Sequence, residues 1–220
     1  MTTQAITGKR RTVYQNASYA IRDVYDAIVE LVTNADDRYQ VMEALGQSTE
    51  PGLIEISVQR RRKDAGILMV RDHADGMTAE TMRTKLSVVG DRVSGLETGL
   101  DVRGSNSRGA KDVCALGPVK FQSFADDGQF HECEIILMTL DPPTSRTPSK
   151  ALRSEIGIKS GTGTLVTIKL TNESRLSRHP SMCEDVGNLV QLREILRNNK
   201  RKVVLRDLTN QREDVLAPPS

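Results

Sequence analysis

The sequence predicts an α/β fold, a sandwich built on a mixed β-sheet. Three observations carry this reading. Apolar residues recur at helical spacing from Ser18 to about Leu45. Two strand-like segments, Leu53 to Arg62 and Ile67 to Val70, flank the turn Lys63-Asp-Ala-Gly66 and form a hairpin. Later strands again come in hairpins between helical segments, which favours a mixed sheet over a regular βαβ repeat. With 220 residues the chain can bury an ordinary core in one sizeable domain, or in one domain and the beginning of another.

In the first helix Ile21, Val24, Tyr25, Ile28, Leu31 and Val32 share the apolar side, Ser18 is the expected cap, and a break is allowed after Asp37. After the hairpin, Thr78 to about Val88 predicts a short helix following the Gly76-Met77 turn. Gly90 to Gly109 has little periodicity and much Gly, Ser and Asp, the pattern of a functional lid or of disorder. Ala110 to Leu116 then suits a helix closed by Gly117 and Pro118. Val119 to Phe124 and Gln129 to Leu140 read as strands around Asp126-Asp-Gly128, and Asp141 to Lys150 as a polar loop. Thr164 to Leu170 is a strand, Glu184 to Asn198 a helix, and Val203 to Leu205 a last short strand.

Lys plus Arg number 31 and Asp plus Glu 29, a net charge of +2 that gives no global attraction to nucleic acid or anionic membrane. The basic runs Lys9-Arg-Arg11 and Arg60-Arg-Arg-Lys63 fit solvated surface better than a binding patch, because three Phe and four Tyr are too few for a stacking platform. Cys114, Cys133 and Cys183 include no CxxC pair, which argues against a disulfide framework or a zinc site and for a reducing, cytoplasmic setting. No long apolar run and no signal-like N-terminus occur, so a membrane partner is not expected.

Two segments offer chemistry. In Glu30-Leu-Val-Thr-Asn34-Ala-Asp-Asp37, positions i, i+4 and i+7 put Glu30, Asn34 and Asp37 on one helical face. Asp23 and Asp26 share that side, so an ordinary solvated face competes with a site. An amide oxygen such as that of Asn34 suits Mg2+ bound to phosphates, and a carboxylate one turn away suits a base or water-orienting group. In Asp72-His-Ala-Asp-Gly76-Met77, an apolar strand runs into a glycine turn, where a carboxylate can face a pocket or merely cap the turn. A buried carboxylate there accepts from the exocyclic amine of adenine and is left unpaired against guanine.

These two segments resemble the nucleotide-binding boxes of the gyrase, heat-shock chaperone, histidine-kinase and mismatch-repair ATPase superfamily, GHKL. Gly104-Ser-Asn-Ser-Arg108-Gly109-Ala110-Lys111-Asp112 resembles its glycine box, and Gly161-Thr-Gly163-Thr164 with the strand that follows resembles its closing box. Four boxes in family order, from Glu30 to Leu170, make the resemblance specific. It implies a Bergerat-type fold: a two-layer sandwich of a mixed sheet with helices on one face, and ATP with Mg2+ between the helix layer and a lid. It further implies that Glu30 is the catalytic base, Asn34 the metal ligand and Asp37 a supporting contact. By the same resemblance Asp72, with Gly76 and Met77, recognises adenine, and Thr164 shares a water with Asp72. Arg108, Gly109, Ala110 and Lys111 then attend the phosphates, at a helix start suited to anions. Ala74 departs from the family, which usually has glycine there, and its Cβ restricts the backbone beside the base. A P-loop reading of Gly104 to Lys111 is poor, since Asp112 stands where a magnesium-binding hydroxyl belongs.

The expected organisation is an N-terminal arm, 1–17, an ATP-binding domain, 18–172, and a C-terminal helix and strand, 173–220, that can open a following domain. About fifty residues follow the last box, too few for the second domain that donates a Lys or Arg to the γ-phosphate in some branches. The chain is therefore expected to belong to a larger protein or to borrow that charge from a partner. An ATP-dependent homodimer is a further expectation, with the arm carrying Val13 and Tyr14 as the element that crosses. Two other readings stay open: a nucleotide sensor without turnover, and a histidine-kinase catalytic half. The latter lacks a phosphoacceptor helical hairpin, because His73, His131 and His179 lie within or after the boxes.

Overall fold

A computed structural model describes residues 4–5, 15, 17–47, 51–61, 65–87, 109–171 and 175–219. Among the described residues ten strands form one mixed sheet. In chain order they are β1 (Gln4–Ala5), β2 (Gly52–Gln59), β3 (Ile67–Asp72), β4 (Val119–Phe124), β5 (Phe130–Ile136), β6 (Thr139–Leu140), β7 (Thr144–Arg146), β8 (Gly163–Lys169), β9 (Arg201–Asp207) and β10 (Arg212–Val215). Their spatial order is β1-β6-β5-β4-β8-β3-β2-β9-β10, and β7 pairs with β5. The β2–β9 pair is parallel, which places a strand from the end of the chain beside the first hairpin. Helices are α1 (Val24–Ala44), α2 (Ala79–Ser87), α3 (Gly109–Asp112), α4 (Lys150–Ile156), α5 (His179–Gly187) and α6 (Arg193–Arg197). No helix among the described residues is long and apolar enough to cross a membrane.

Alternation along the strands divides the core in two. Ile54, Ile56 and Val58 of β2 stand opposite Asp72, Val70 and Leu68 of β3. Their apolar members pack with Val24, Ile28, Leu31, Val32, Ala35 and Tyr39 of α1 in the main cluster. Phe124, Phe130 and Leu165 point the other way and meet Leu152 and Ile156 of α4 in a second cluster. α4 is capped by Ser149, whose hydroxyl accepts from the Leu152 amide, and ends at Gly157 with φ 77°. At φ 77° an L side chain is strained, and a Cβ at Gly157 would also lie 1.4 Å from the Arg71 guanidinium and displace it.

Several expected boundaries move. The expected helix is interrupted: 17–20 are helical, residues 21–23 leave the helix, and α1 starts afresh at Val24, capped by the Asp23 carboxylate, which accepts from the amides of Tyr25 and Asp26. It then runs unbroken past Asp37. The strand expected from Gln129 to Leu140 is two strands joined by Leu137 and Met138, with φ of 48° and 62°. No Gly or Asn announces that turn; burial of Met138, whose sulfur lies 3.1 Å from that of Cys114, accompanies it. The polar loop contains β7 and the cap of α4. The single helix expected from Glu184 to Asn198 is α5, a 3₁₀ turn at Val190–Leu192, and α6. The helix expected from Ala110 continues only to Asp112 before a 3₁₀ turn at Val113–Leu116. Of the expected lid, 90–108 lies outside the described residues, Arg108 included, and so do Lys9 to Arg11, Val13 and Tyr14 in the arm. Arg60 is held by structure: it pairs with Asp207 and donates to the Ser177 carbonyl at 3.0 Å.

One charged side chain joins β9 to α1. The Arg201 guanidinium, with its side chain fully buried, contacts Asp36 through Nε and Glu43 through Nη1, each at 2.5 Å, and lies over the Tyr39 ring at 5.1 Å. Removing one partner of a buried pair strands the other charge, which costs about 3–5 kcal/mol. Arg201→Met is expected to lower folding stability on that scale, and Arg201→Met with Asp36→Leu to regain most of it. Urea midpoints of the three proteins check this; equal midpoints would contradict a buried clamp.

Candidate functional site

Asp72 closes β3 on the face turned toward α1, directly opposite Ile54. Its carboxylate accepts from the Ala74 amide at 2.9 Å. Burial pushes its pKa up to about 6, against backbone hydrogen bonds from Ala74 and Thr164 that pull it down. The residue nevertheless keeps partial solvent access.

The wall beside it is held by Ser123. The Met77 amide donates to Ser123 Oγ at 2.7 Å, and Ser123 Oγ donates to the Gly163 carbonyl at 3.0 Å. A hydroxyl has one proton, so the 3.1 Å contact with Thr164 is an O–H donated by Thr164. Thr162 adds a 2.5 Å bond to the Ala74 carbonyl. Two glycines let these segments close up. Gly76 has φ 74°, and a Cβ there would stand 2.2 Å from the Phe124 carbonyl oxygen; Gly163 has φ 147° and would meet the Asp72 carbonyl oxygen at 2.4 Å. Ala74 is fully buried in the main cluster and does not adopt a left-handed backbone, so its methyl is accommodated.

On α1, Asn34 Nδ2 donates to Glu30 Oε1 at 2.8 Å. A carboxylate can only accept, which fixes the amide's orientation and leaves the Asn34 carbonyl oxygen for another ligand. Burial pushes the Glu30 pKa up, the Asn34 bond opposes this, and the charge of Asp112 adds to it. Asp112 reaches Glu30 because α3 packs on α1. The segment opening at Gly109 is thereby brought to the Glu30 end of the helix. Ala110 packs partly against the main cluster, while Lys111 is 1 % exposed. Asp37 lies on the neighbouring turn, where its charge, with those of Asp75 and Asp72, acts on Arg38.

Sequence reasoning missed Ser123, Arg38 and Asp75. Arg38 Nε donates to Asp75 Oδ1 at 2.9 Å, and the other guanidinium nitrogen contacts Oδ2, a two-pronged link from α1 to the turn after Asp72. Half-buried Lys85 of α2 is near enough for Arg38 and Asp75 to act on it, and desolvation lowers its pKa. A signal existed for Ser123: it occupies the inward position of a strand whose other inward residues are Val119 and Phe121. Neither Glu30 nor Asp72 has an ion-pair partner among the described residues. Chemically the arrangement offers an acceptor set for a planar donor at Asp72 and, along α1, a carboxylate of raised basicity beside an oxygen ligand. Comparison of the sequence with protein-family models and with curated proteins gives no significant match.

The raised Asp72 pKa has a stability consequence of definite sign. Its folded value, about 6, exceeds its ordinary value of 3.8, so this group's contribution is intact below about pH 4 and is lost as pH rises toward 6. Above that the penalty is at most about 3 kcal/mol. Asp72→Asn is therefore expected to be more stable than the parent at pH 7.5 and to lose that advantage by pH 4. Urea unfolding at both pH values, without ligand, checks it; a pH-independent difference would refute the assigned cause.

Proposed function

We propose that the chain is an ATP-binding, slowly ATP-hydrolysing module of the GHKL type, working with Mg2+ in the cytoplasm as a nucleotide-driven conformational or pairing switch. The observation that carries the reading is the pair of carboxylates, Asp72 and Glu30, each with proton affinity raised by burial, set along one helix and the strand beneath it. Perturbed acids without ion-pair partners favour a functional site over a structural one. On this reading α1, α2 and α3 form the helix layer of a Bergerat-type sandwich, with α4 as an addition on the opposite face. Asp72 accepts from the adenine amine, with Thr164 and Ser123 ordering that wall, and Gly76 and Met77 shape the turn. Asn34 would hold Mg2+ through its carbonyl oxygen; when bound, the ion neutralises charge on the phosphates. Glu30 takes the proton of the attacking water, and the start of α3 at Gly109 faces the phosphates.

Because a base acts mainly in the transition state and a metal ligand also in the ground state, the two α1 residues should separate kinetically. Glu30→Ala is expected to bind ATP normally while turnover falls about a hundredfold or more. Asn34→Ala should weaken Mg2+-dependent ATP binding on the order of tenfold, a scale typical of metal-site lesions. Calorimetric titration and phosphate release on the same samples test both, with light scattering to record pairing. ATP binding without turnover at any protein concentration would make the chain a sensor and remove the role given to Glu30.

Selectivity provides an independent check. ATP is expected to bind far more tightly than GTP, and Asp72→Asn to erase most of the difference, since a site built to accept from the base loses its discrimination with that acceptor. Equal affinities for the two nucleotides in the parent protein would end the adenine assignment.

A further inference from the structure

Away from the nucleotide pocket, α5 and the edge strand β10 bring three different metal-ligand types together. His179 and Cys183 are four residues apart and share a face of α5. Asp214 of β10 reaches them: His179 Nε2 is 2.7 Å from Asp214 Oδ2 and 3.6 Å from Cys183 Sγ, and all three ligand atoms lie within 4.8 Å of one another. They line a surface pocket with Glu184 and Glu213. His179 is almost wholly buried, Cys183 half-buried, and the Asp214 side chain exposed.

We propose that His179 Nε2, Cys183 Sγ and Asp214 form a three-ligand Zn2+ site with its fourth position open to water. Tetrahedral zinc with bonds near 2.0–2.3 Å needs nitrogen and sulfur about 3.6 Å apart, the separation the helix already provides, and nitrogen and oxygen about 3.3 Å apart. The His179–Asp214 separation has to open by roughly half an ångström on that geometry, and Asp214 is the exposed member of the set, free to adjust. Mixed nitrogen, sulfur and oxygen donors suit zinc and not Mg2+, so this site does not compete for the ion of the nucleotide pocket. Binding releases the Cys183 proton to solvent and requires the imidazole proton on Nδ1 instead of Nε2. Nδ1 is buried without a hydrogen-bond partner among the described residues, so the ring is committed by its Nε2 side alone. The absence of a CxxC pair hid the site from sequence: a helical His-x₃-Cys gains its third ligand only when the last hairpin folds beside α5. Zinc there would fasten the exposed edge strand to a helix, one way of protecting a sheet edge.

Co2+ is the spectroscopic probe. Titrating the whole chain with Co2+ is expected to give one equivalent of binding with a thiolate-to-cobalt absorption in the near ultraviolet, and Zn2+ should displace it. Cys183→Ser should abolish that absorption, and Asp214→Asn should weaken binding by more than about tenfold; both positions are accessible enough for the variants to fold where a His179 variant could fail. No absorption in the parent, absorption that survives Cys183→Ser, or unchanged affinity in Asp214→Asn would each overturn the site.

Discussion

The packing of α1 across the β2–β3 hairpin is the constraint on which the rest depends. Val24, Ile28, Leu31, Val32 and Ala35 are nearly or wholly buried against Ile54, Ile56, Leu68 and Val70. Full burial of each Val, Leu or Ile side chain among them is worth about 1.5–3 kcal/mol. That energy fixes the rotation of the helix, and the rotation decides where its polar residues go. Glu30 and Asn34 sit at the edge of the buried stripe, where a side chain is desolvated yet still able to meet a ligand. A helix turned by one residue, about 100°, would send them to bulk solvent or under the sheet.

Hydrogen bonds then lock that rotation. Tyr39, at the C-terminal half of α1, donates to the Leu53 carbonyl and accepts from the His73 amide, both at 2.8 Å. One hydroxyl thus spans the start of β2 and the residue after Asp72. Gly52 lies against the Tyr39 ring closely enough that a Cβ would stand 2.8 Å from it. Arg201 adds a charge-based tie to the next turns of the helix through Asp36 and Glu43. The position of Asp72 relative to α1 is therefore set by contacts that touch neither Asp72 nor Glu30.

What was legible in sequence follows from this division of labour. Local periodicity revealed α1, the β2–β3 hairpin and β8, because each follows from the residues it contains. The candidate site residues were legible as local groups: Glu30 with Asn34 on one helix, Asp72 with Gly76 in one turn. Partners from distant segments were not. Ser123, Arg201 and Asp36 carry no mark of their roles until β4 and β9 enter the sheet, where Asp36 meets Arg201. The Leu137-Met138 turn escaped because a buried methionine, and not a turn-forming residue, occupies it. The helix expected at the C-terminal end divides where Gly187 passes within reach of the Ala217 carbonyl, a contact made only in the folded chain.

Comparison of two neighbouring carboxylates shows why Asp72 stands apart. Glu55 of β2 is 4 % exposed, more deeply buried by surface than Asp72, yet its pKa is held below the usual range. Burial pushes it up, but the His73 hydrogen bond and the charges of Arg71 and Arg206 outweigh that push. Those two guanidinium groups lie 2.7 and 2.5 Å from its oxygens, and Arg206 continues the ladder to Glu213. On that face of the sheet each buried charge is answered by an opposite one, the requirement for a purely structural acid. Asp72, on the other face, accepts from amides and forms no ion pair among the described residues, the charge of Arg38 acting on it only across space. A fold able to neutralise Glu55 with arginines from adjacent strands had the means to neutralise Asp72. Left with amide donors and partial solvent access, it keeps acceptor capacity, the property that the proposed base recognition would use.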